Sequence, residues 1–254
     1  MTAMSDDWAE FAAGLSLEER NSARELVSAL RTPLRESIEP ESDLVTPLFA
    51  ARFRASILTQ HAFVGTPLVD LTFERAFRES MIASGAQVNN ASGNTRRFWD
   101  CEINGQRFSL KSTKARGLSR KKAQISKLTE AAWIQDCRTA AARRDKTREL
   151  FTTYFASVQR LVQLRYFEND STYELLEIPL ALLKAVHQVP TRCFRAEGPT
   201  IGIPVGQIPP DFTLVLDRSD AKVTLRNILV SRCIVHARWE VGPPATPMES
   251  PQAP

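Results

Sequence analysis

Apolar residues recur at helical spacing in three segments of the first third of the chain. This spacing predicts helices over residues 16–37, 45–62 and 67–84. The first helix opens with Ser16 and, three residues later, Glu19, which together form a capping box. The third helix ends before Gly85, a residue typical of helix C-termini. We therefore expect an N-terminal helical region.

A stretch of alternating polar and apolar residues follows, centred on Asn104-Gly105. Asn-Gly between two alternating runs is typical of a two-residue β-hairpin turn. In the register that this turn sets, Asp100 lies opposite Ser109 and diagonal to Lys111. The other face of the hairpin is apolar and consists of Cys101, Ile103, Phe108 and Leu110. The sequence thus predicts a hairpin with one apolar and one polar face.

The second half of the chain mixes helical and strand patterns. Helical spacing predicts helices over residues 119–139, 147–158 and 180–187. Apolar and alternating runs predict strands over residues 160–168, 171–179, 212–216, 222–228 and 233–241. Residues 190–210 contain five prolines, so we expect a loop there. The last thirteen residues also contain five prolines, and we expect them to form a disordered tail.

Composition places the chain among ordinary globular proteins. Of its 254 residues 43% are apolar and 24% charged, and the formal net charge is +4. No apolar run approaches the ~18 residues of a membrane span, and the N-terminus is acidic, unlike that of a signal peptide. The four cysteines form no Cys-x-x-Cys pair, which argues against a zinc ribbon or a disulfide scaffold. We expect a cytoplasmic protein without membrane contacts.

The small net charge conceals a division along the chain. Residues 1–50 contain ten acids and four bases, whereas residues 96–148 contain fifteen bases and five acids. Between Ile103 and Thr129 there are eight bases and no acid. Such a basic segment is typical of a site for a polyanion, although a solvated basic surface has the same composition.

The polar face of the hairpin carries a candidate catalytic site. Asp100 precedes a strand with the triplet Ser109-Leu110-Lys111. Metal-dependent nucleases use an aspartate followed by a strand with an acid-x-lysine triplet. The carboxylates bind divalent ions, and the lysine orients or deprotonates a water molecule for attack on phosphorus. Here a serine occupies the position of the second acid.

These residues resemble the signature of the PD-(D/E)XK nuclease superfamily, most specifically type II restriction endonucleases. The resemblance covers residues 66–168 in the order α-β-β-β-α-β. It implies an α/β fold with a restriction-endonuclease-like core, that is, a central mixed β-sheet flanked by helices. To this core the sequence pattern adds the N-terminal helices and the disordered Pro-rich C-terminal tail. The corresponding division is an N-terminal helical region over 1–65, the nuclease core with C-terminal strands over 66–241, and the tail over 242–254.

The resemblance also implies a function. It indicates a bacterial enzyme that hydrolyses phosphodiester bonds in double-stranded DNA with Mg²⁺, at a short specific sequence and as a homodimer. Asp100 would bind the metal, Lys111 would orient or activate the water, and Ser109 would lie in the shell around them. A glutamate from a neighbouring helix would then replace the missing acid, with Glu74 the first candidate and Glu130 the second.

The basic segment supplies candidate DNA contacts. We expect phosphate contacts from Ser112, Thr113, Lys114, Arg116, Arg120, Lys121 and Lys122. The last three lie at the start of the helix predicted over 119–139, where three cations are unfavourable unless an anion is present.

Other interpretations of the same residues remain open. A structure-specific or repair nuclease of the superfamily would share the site. A non-catalytic DNA-binding protein would explain Ser109. Asp100 and Lys111 alone would also fit a surface ion pair worth less than ~1 kcal/mol. The acidic N-terminal helices would suit either a dimer surface or a screen along the DNA channel.

Overall fold

The computed structural model of the protein describes residues 10–90 and 97–242. The helices are α1 (Leu17–Leu30), α2 (Pro47–Val64), α3 (Asp70–Ala83), α4 (Trp133–Asp136), α5 (Ala140–Ser157) and α6 (Leu180–Leu183). The first strands are β1 (Leu34–Ile38), β2 (Val88–Asn90), β3 (Cys101–Ile103), β4 (Gln106–Thr113), β5 (Lys122–Glu130) and β6 (Arg160–Phe167). The later strands are β7 (Thr172–Glu177), β8 (Thr200–Val205), β9 (Phe212–Asp217), β10 (Lys222–Leu229) and β11 (Ile234–Val241).

Seven strands form a curled central sheet in the order β1-β11-β7-β6-β4-β3-β2. Its pairs are antiparallel except for β4 and β6, which are parallel. One face packs against α2 and α3 in a core that includes Phe53, Phe77 and Leu110. The other face packs against α5 and a second sheet of four strands, ordered β5-β10-β9-β8. The predicted central mixed sheet flanked by helices is therefore confirmed.

The hairpin predicted around Asn104-Gly105 is confirmed. Asn104 and Gly105 have φ values of 49° and 78°, as a type I′ turn requires. Ile103 pairs with Gln106, so the predicted register is correct. Cys101, Ile103, Phe108 and Leu110 are buried in one core. The second predicted hairpin is also present, as β6 and β7, and so are the three late strands.

The first helix is shorter than predicted. Ser16 forms the expected capping box with Glu19, but the helix ends at Leu30. Pro33 cannot continue a helix because it lacks a backbone N–H. The residues that follow form β1, which pairs with β11 at one edge of the central sheet.

The helix predicted over 119–139 is wrong. Its first part is β5, in which Ala123 and Ile125 are buried while Lys122, Gln124 and Ser126 are exposed. Alternation with period two is typical of a half-buried strand. The three cations predicted at a helix start therefore lie just before β5 and at its first residue.

The proline-rich segment predicted as a loop contains β8. Pro204 lies in this strand and pairs with Thr213 of β9. β8 is the edge strand of the second sheet, so no strand lies on its outer side. Pro204, which lacks a backbone N–H, therefore removes no interstrand hydrogen bond on that side. The predicted tail lies outside the described residues, apart from Gly242. Among the described residues, no helix is long and apolar enough to cross a bilayer.

Candidate active site

Asp100 and Lys111 lie together at the point where β3 diverges from β4. The backbone N–H of Asp100 donates to the carbonyl of Phe108 across 2.8 Å. Its carboxylate oxygen Oδ2 accepts from the N–H of Leu110 at 2.6 Å and lies 3.5 Å from Nζ of Lys111. Nζ of Lys111 also donates to the carbonyl of Leu110 at 3.1 Å. The predicted pair is therefore joined and only partly exposed.

The carboxyl group of Glu74, on α3, interacts electrostatically with both Asp100 and Lys111. Burial raises the pKa of the Glu74 carboxyl, and the negative charge of Asp100 raises it further. The positive charges of Arg78 and Lys111 oppose this rise. Arg78 lies one turn later on α3, with its Nη1 3.6 Å from Oε2 of Glu74. The two carboxylates repel each other when both are ionised, and a bound cation would reduce this repulsion.

Ser112 fixes the start of α3 against the end of β4. The N–H of Asp70 donates to Oγ of Ser112 at 2.7 Å, and the Ser112 hydroxyl donates to Oδ1 of Asp70 at 3.0 Å. Asp70 has a φ of 48°, in the left-handed region that non-glycine residues rarely adopt. Glu74 lies one helical turn after Asp70. Ser112, predicted to contact DNA, thus holds the helix that carries Glu74.

Ser109 lies on the polar face of β4 but is fully buried. Its hydroxyl and that of Tyr154 on α5 form no well-aligned hydrogen bond within the described residues. Burial raises the pKa of Tyr154 well above its usual range, while the neighbouring Ser109 hydroxyl opposes the rise. Tyr154 also lies within electrostatic reach of Asp100. Two buried hydroxyls therefore occupy the position where an acid was expected.

Comparison with known proteins decides the family. The model of the SmaI family, described as type II site-specific deoxyribonucleases, matches residues 9–241. The chain belongs to this family. It is similar to the type II restriction enzyme SmaI of Serratia marcescens, with 26% identity over 210 residues that cover 78% of this chain and 81% of that protein. No solved structure matches. The protein is thus a type II restriction endonuclease.

Glu130, the second candidate acid, lies elsewhere in this SmaI-family chain. It is the last residue of β5, in the second sheet rather than on a helix. Its carboxylate accepts from Nζ of Lys127 at 2.6 Å, and this hydrogen bond lowers its pKa. The other charged neighbour that affects it is Arg97. Among the described residues, Glu74 is therefore the better partner for Asp100.

The basic segment of this deoxyribonuclease is partly neutralised within the chain. Arg116 lies 3.8 Å from a carboxylate oxygen of Glu168, in the turn between β6 and β7. Arg120 pairs with Asp170 of the same turn at 2.5 Å and stacks 3.8 Å above the ring of Phe167. The remaining predicted cations are exposed and form no ion pair within the described part of the chain: Lys114, Lys121 and Lys122.

Gln163 is a site residue that sequence reasoning missed. It lies beside Lys111 in the parallel ladder of β4 and β6 and is 1% exposed. Its Nε2 donates to the carbonyl of Gln124 on β5 at 2.7 Å. Its Oε1 has no hydrogen-bond donor among the described residues. The only signal in the sequence is a polar residue within the apolar run of β6.

A second group of potential metal ligands consists of two residues of the central sheet and one of the segment before α2. Asp43, Glu177 and His236 have ligand atoms within 4.8 Å of one another. The guanidinium of Arg160 already hydrogen-bonds both carboxylates and lowers the pKa of Asp43. The ring of His236 is held by Glu177 and by Oγ of Ser42. The group is thus a satisfied ion-pair network rather than a free ligand set.

Proposed function

We propose that this type II restriction endonuclease cleaves double-stranded DNA with a PD-(D/E)XK-type site on a restriction-endonuclease-like core. Asp100 and Glu74 would hold Mg²⁺, and Lys111 would act on the water. The observation that carries this proposal is the 3.5 Å approach of Lys111 Nζ to Asp100 Oδ2 beside the raised pKa of Glu74.

The donor set fits a hard divalent cation. Carboxylate oxygens are the ligands that Mg²⁺ prefers, usually one or two from the protein. The charge repulsion between Asp100 and Glu74 is the electrostatic feature that such a cation relieves. When bound, the metal would stabilise charge on the phosphate and make water easier to deprotonate.

Lys111 would hold the attacking water. Its ammonium donates to the Leu110 carbonyl and faces Asp100, so two acceptors fix its position. A third N–H remains to orient a water molecule at the edge of the carboxylates. Ser109 is too deeply buried to bind a metal directly, so we assign it, with Tyr154, to the shell behind Asp100.

The exposed cations next to the site would bind the DNA backbone. Lys114, Lys121 and Lys122 flank the end of β4 and the start of β5. Arg116 and Arg120 would contribute by exchanging their acidic partners for phosphates. Thr113 is the last residue of β4, the strand that carries Lys111. Ser112 acts instead through α3.

The family supports a proposal for the assembly of the enzyme and for its compartment. We infer a homodimer, because a palindromic site presents the same sequence to each of two identical subunits. Within the predicted N-terminal region over 1–65, α1 would contribute the dimer surface, because β1 belongs to the central sheet and α2 packs in its core. Bacterial cytoplasm is the compartment in which such an enzyme meets its DNA.

Digestion of a plasmid in the presence and absence of Mg²⁺ tests the proposal. We expect discrete fragments with Mg²⁺ and intact DNA without it. Lys111→Ala should abolish cleavage and leave DNA binding largely intact, whereas Lys127→Ala, which removes an exposed cation paired with Glu130, should cut normally. Full cleavage by Lys111→Ala would refute the site. A smear or branch-dependent nicking would indicate a structure-specific nuclease, and binding without cleavage a non-catalytic protein.

A further inference from the structure

Strand β5 is fixed to the central sheet by two side chains from β6. Nε2 of Gln163 donates to the carbonyl of Gln124 at 2.7 Å, and Nη1 of Arg165 donates to the carbonyl of Lys122 at 3.1 Å. These carbonyls lie on the outer edge of β5, which is the edge strand of the second sheet. The edge is thus satisfied by side chains and rigidly placed.

This anchoring sets the distance between β5 and the catalytic lysine. Gln163 is the ladder neighbour of Lys111, and neighbouring strands lie about 4.8 Å apart. The side chain of Gln163 spans the gap to β5 and hydrogen-bonds the backbone carbonyl of Gln124. The backbone of Gln124 therefore lies on the order of 10 Å from that of Lys111, about three base-pair steps of B-DNA.

A β-bulge gathers polar side chains at this position. Leu225 pairs with Ile125 and Ile228 pairs with Ala123, so two residues of β10 oppose the single residue Gln124. Those two residues are Arg226 and Asn227, and Asn227 has a φ of 55°. Bulges redirect side chains out of the regular pleat.

The three side chains at the bulge, which we name the polar triad (Gln124, Arg226 and Asn227), are exposed and unengaged. None forms a hydrogen bond or an ion pair with another residue in the ranges 10–90 and 97–242. Their polar neighbours on β10 differ, since Lys222 pairs with Asp220 and Thr224 donates to the carbonyl of Ser126. The triad is thus available to a ligand, as is the unpaired Lys122 at the start of β5.

The chemistry of the triad matches the edges of DNA bases. Arg forms paired hydrogen bonds with O6 and N7 of guanine, and Asn or Gln with N6 and N7 of adenine. The triad lies on the two strands at the open edge of the second sheet, and this edge would enter the major groove, which is about 12 Å wide. Arg, Asn and Gln side chains also contact phosphates, but only contacts with base edges distinguish a cognate duplex from a scrambled one.

We propose that the polar triad reads base edges in the major groove and so determines the recognition sequence. This proposal rests on the catalytic site proposed above, because it uses the position of β5 relative to Lys111. The bulge turns Arg226 and Asn227 toward the groove, and Gln163 and Arg165 hold the reading strand against the catalytic sheet.

The test begins by mapping the recognition sequence from the ends of fragments cut by the unmodified enzyme. Binding is then measured, in a Lys111→Ala background, to a duplex with that sequence and to a scrambled duplex. We expect Gln124→Ala, Arg226→Ala and Asn227→Gly each to weaken binding to the cognate duplex by roughly 10- to 100-fold. Binding to the scrambled duplex and the salt dependence should not change. Glycine suits the left-handed backbone at 227, so that variant removes only the side chain.

Two matched variants separate base contacts from phosphate contacts. Arg226→Lys keeps the charge but loses the paired hydrogen bonds, so it should lose cognate binding as Arg226→Ala does. Lys121→Ala should weaken binding to both duplexes and make the salt dependence shallower by about one unit. If the triad variants behave like Lys121→Ala, or bind the cognate duplex normally, the proposal is overturned. Because these readouts are binding constants, they remain valid even if Lys111 is not catalytic.

Discussion

Ser112 and Asp70 bind each other through two reciprocal hydrogen bonds, of 2.7 Å and 3.0 Å, that join the end of β4 to the start of α3. This relationship couples the strand that carries Lys111 to the helix that carries Glu74. It also holds Asp70 at a φ of 48°, a conformation that costs of order 1 kcal/mol or more. This pair thus links the two halves of the site by hydrogen bonds, in addition to the apolar packing of α3 on the sheet.

Ser112→Ala should loosen the start of α3 and with it Glu74. We expect a loss of about 1 kcal/mol in unfolding free energy and a higher Mg²⁺ concentration for half-maximal cleavage. The maximal rate at saturating Mg²⁺ should change much less. Ser112→Thr keeps the hydroxyl and should restore the wild-type Mg²⁺ dependence. A direct role of Ser112 in DNA binding would instead appear as weaker binding with an unchanged Mg²⁺ dependence.

Glu74 and Glu130 can be separated by parallel amide substitutions. Glu74→Gln removes a charge that interacts with Asp100 and Lys111, so we expect cleavage to fall by at least 100-fold. Glu130→Gln breaks only an exposed pair with Lys127 and should leave cleavage unchanged. The measurement is the single-turnover cleavage rate of a plasmid at fixed Mg²⁺. The reverse pattern would assign the metal to Glu130.

The raised pKa of Glu74 makes a prediction about stability without metal. A carboxyl whose pKa is higher in the folded than in the unfolded protein destabilises the fold at pH values above its folded pKa. Below the ordinary value of 4.5 it is protonated in both states and the effect vanishes. In EDTA, Glu74→Gln should therefore raise Tm at pH 7.5 and leave it unchanged near pH 4. Excess Mg²⁺ should stabilise the wild type more than the variant. A lower Tm for Glu74→Gln at pH 7.5 would contradict the assigned charge environment.

The parts of the site that the sequence predicts are those fixed by local geometry. Asn104-Gly105 selects a two-residue turn, and that turn sets the register that brings Asp100 to Lys111. A one-residue slip would have placed the apolar face in solvent, so the pattern specifies the pairing strongly. Glu74, in contrast, is chosen from the family resemblance, and its carboxyl lies within the electrostatic influence of Asp100 and Lys111.

The parts that sequence reasoning missed depend on contacts distant along the chain. Gln163 neighbours Lys111 only because β4 and β6 pair in parallel across the intervening β5 and α5. Tyr154 has the spacing of a core aromatic, and only its buried hydroxyl beside Ser109 distinguishes it. Apolar residues of β5 fit both a helical spacing and the period-two alternation of a strand, and pairing with β10 decides for the strand.

The buried ion pair of Arg165 and Glu174 is the connection whose removal should most affect the second sheet. Nη2 of Arg165 lies 3.0 Å from Oε1 of Glu174, and both side chains are almost fully buried. Arg165 also donates to the Lys122 carbonyl, and Glu174 accepts from Nε of Arg238 at 2.9 Å. Arg165→Met should therefore cost about 3 kcal/mol, because it leaves a buried carboxylate with one partner and a β5 carbonyl with none. The double variant Arg165→Met/Glu174→Leu should lose less than the single variant, since no buried charge remains unpaired. Urea denaturation of the wild type, the single variants Arg165→Met and Glu174→Leu, and the double variant gives the coupling free energy. Strictly additive losses would show that the two side chains do not stabilise each other.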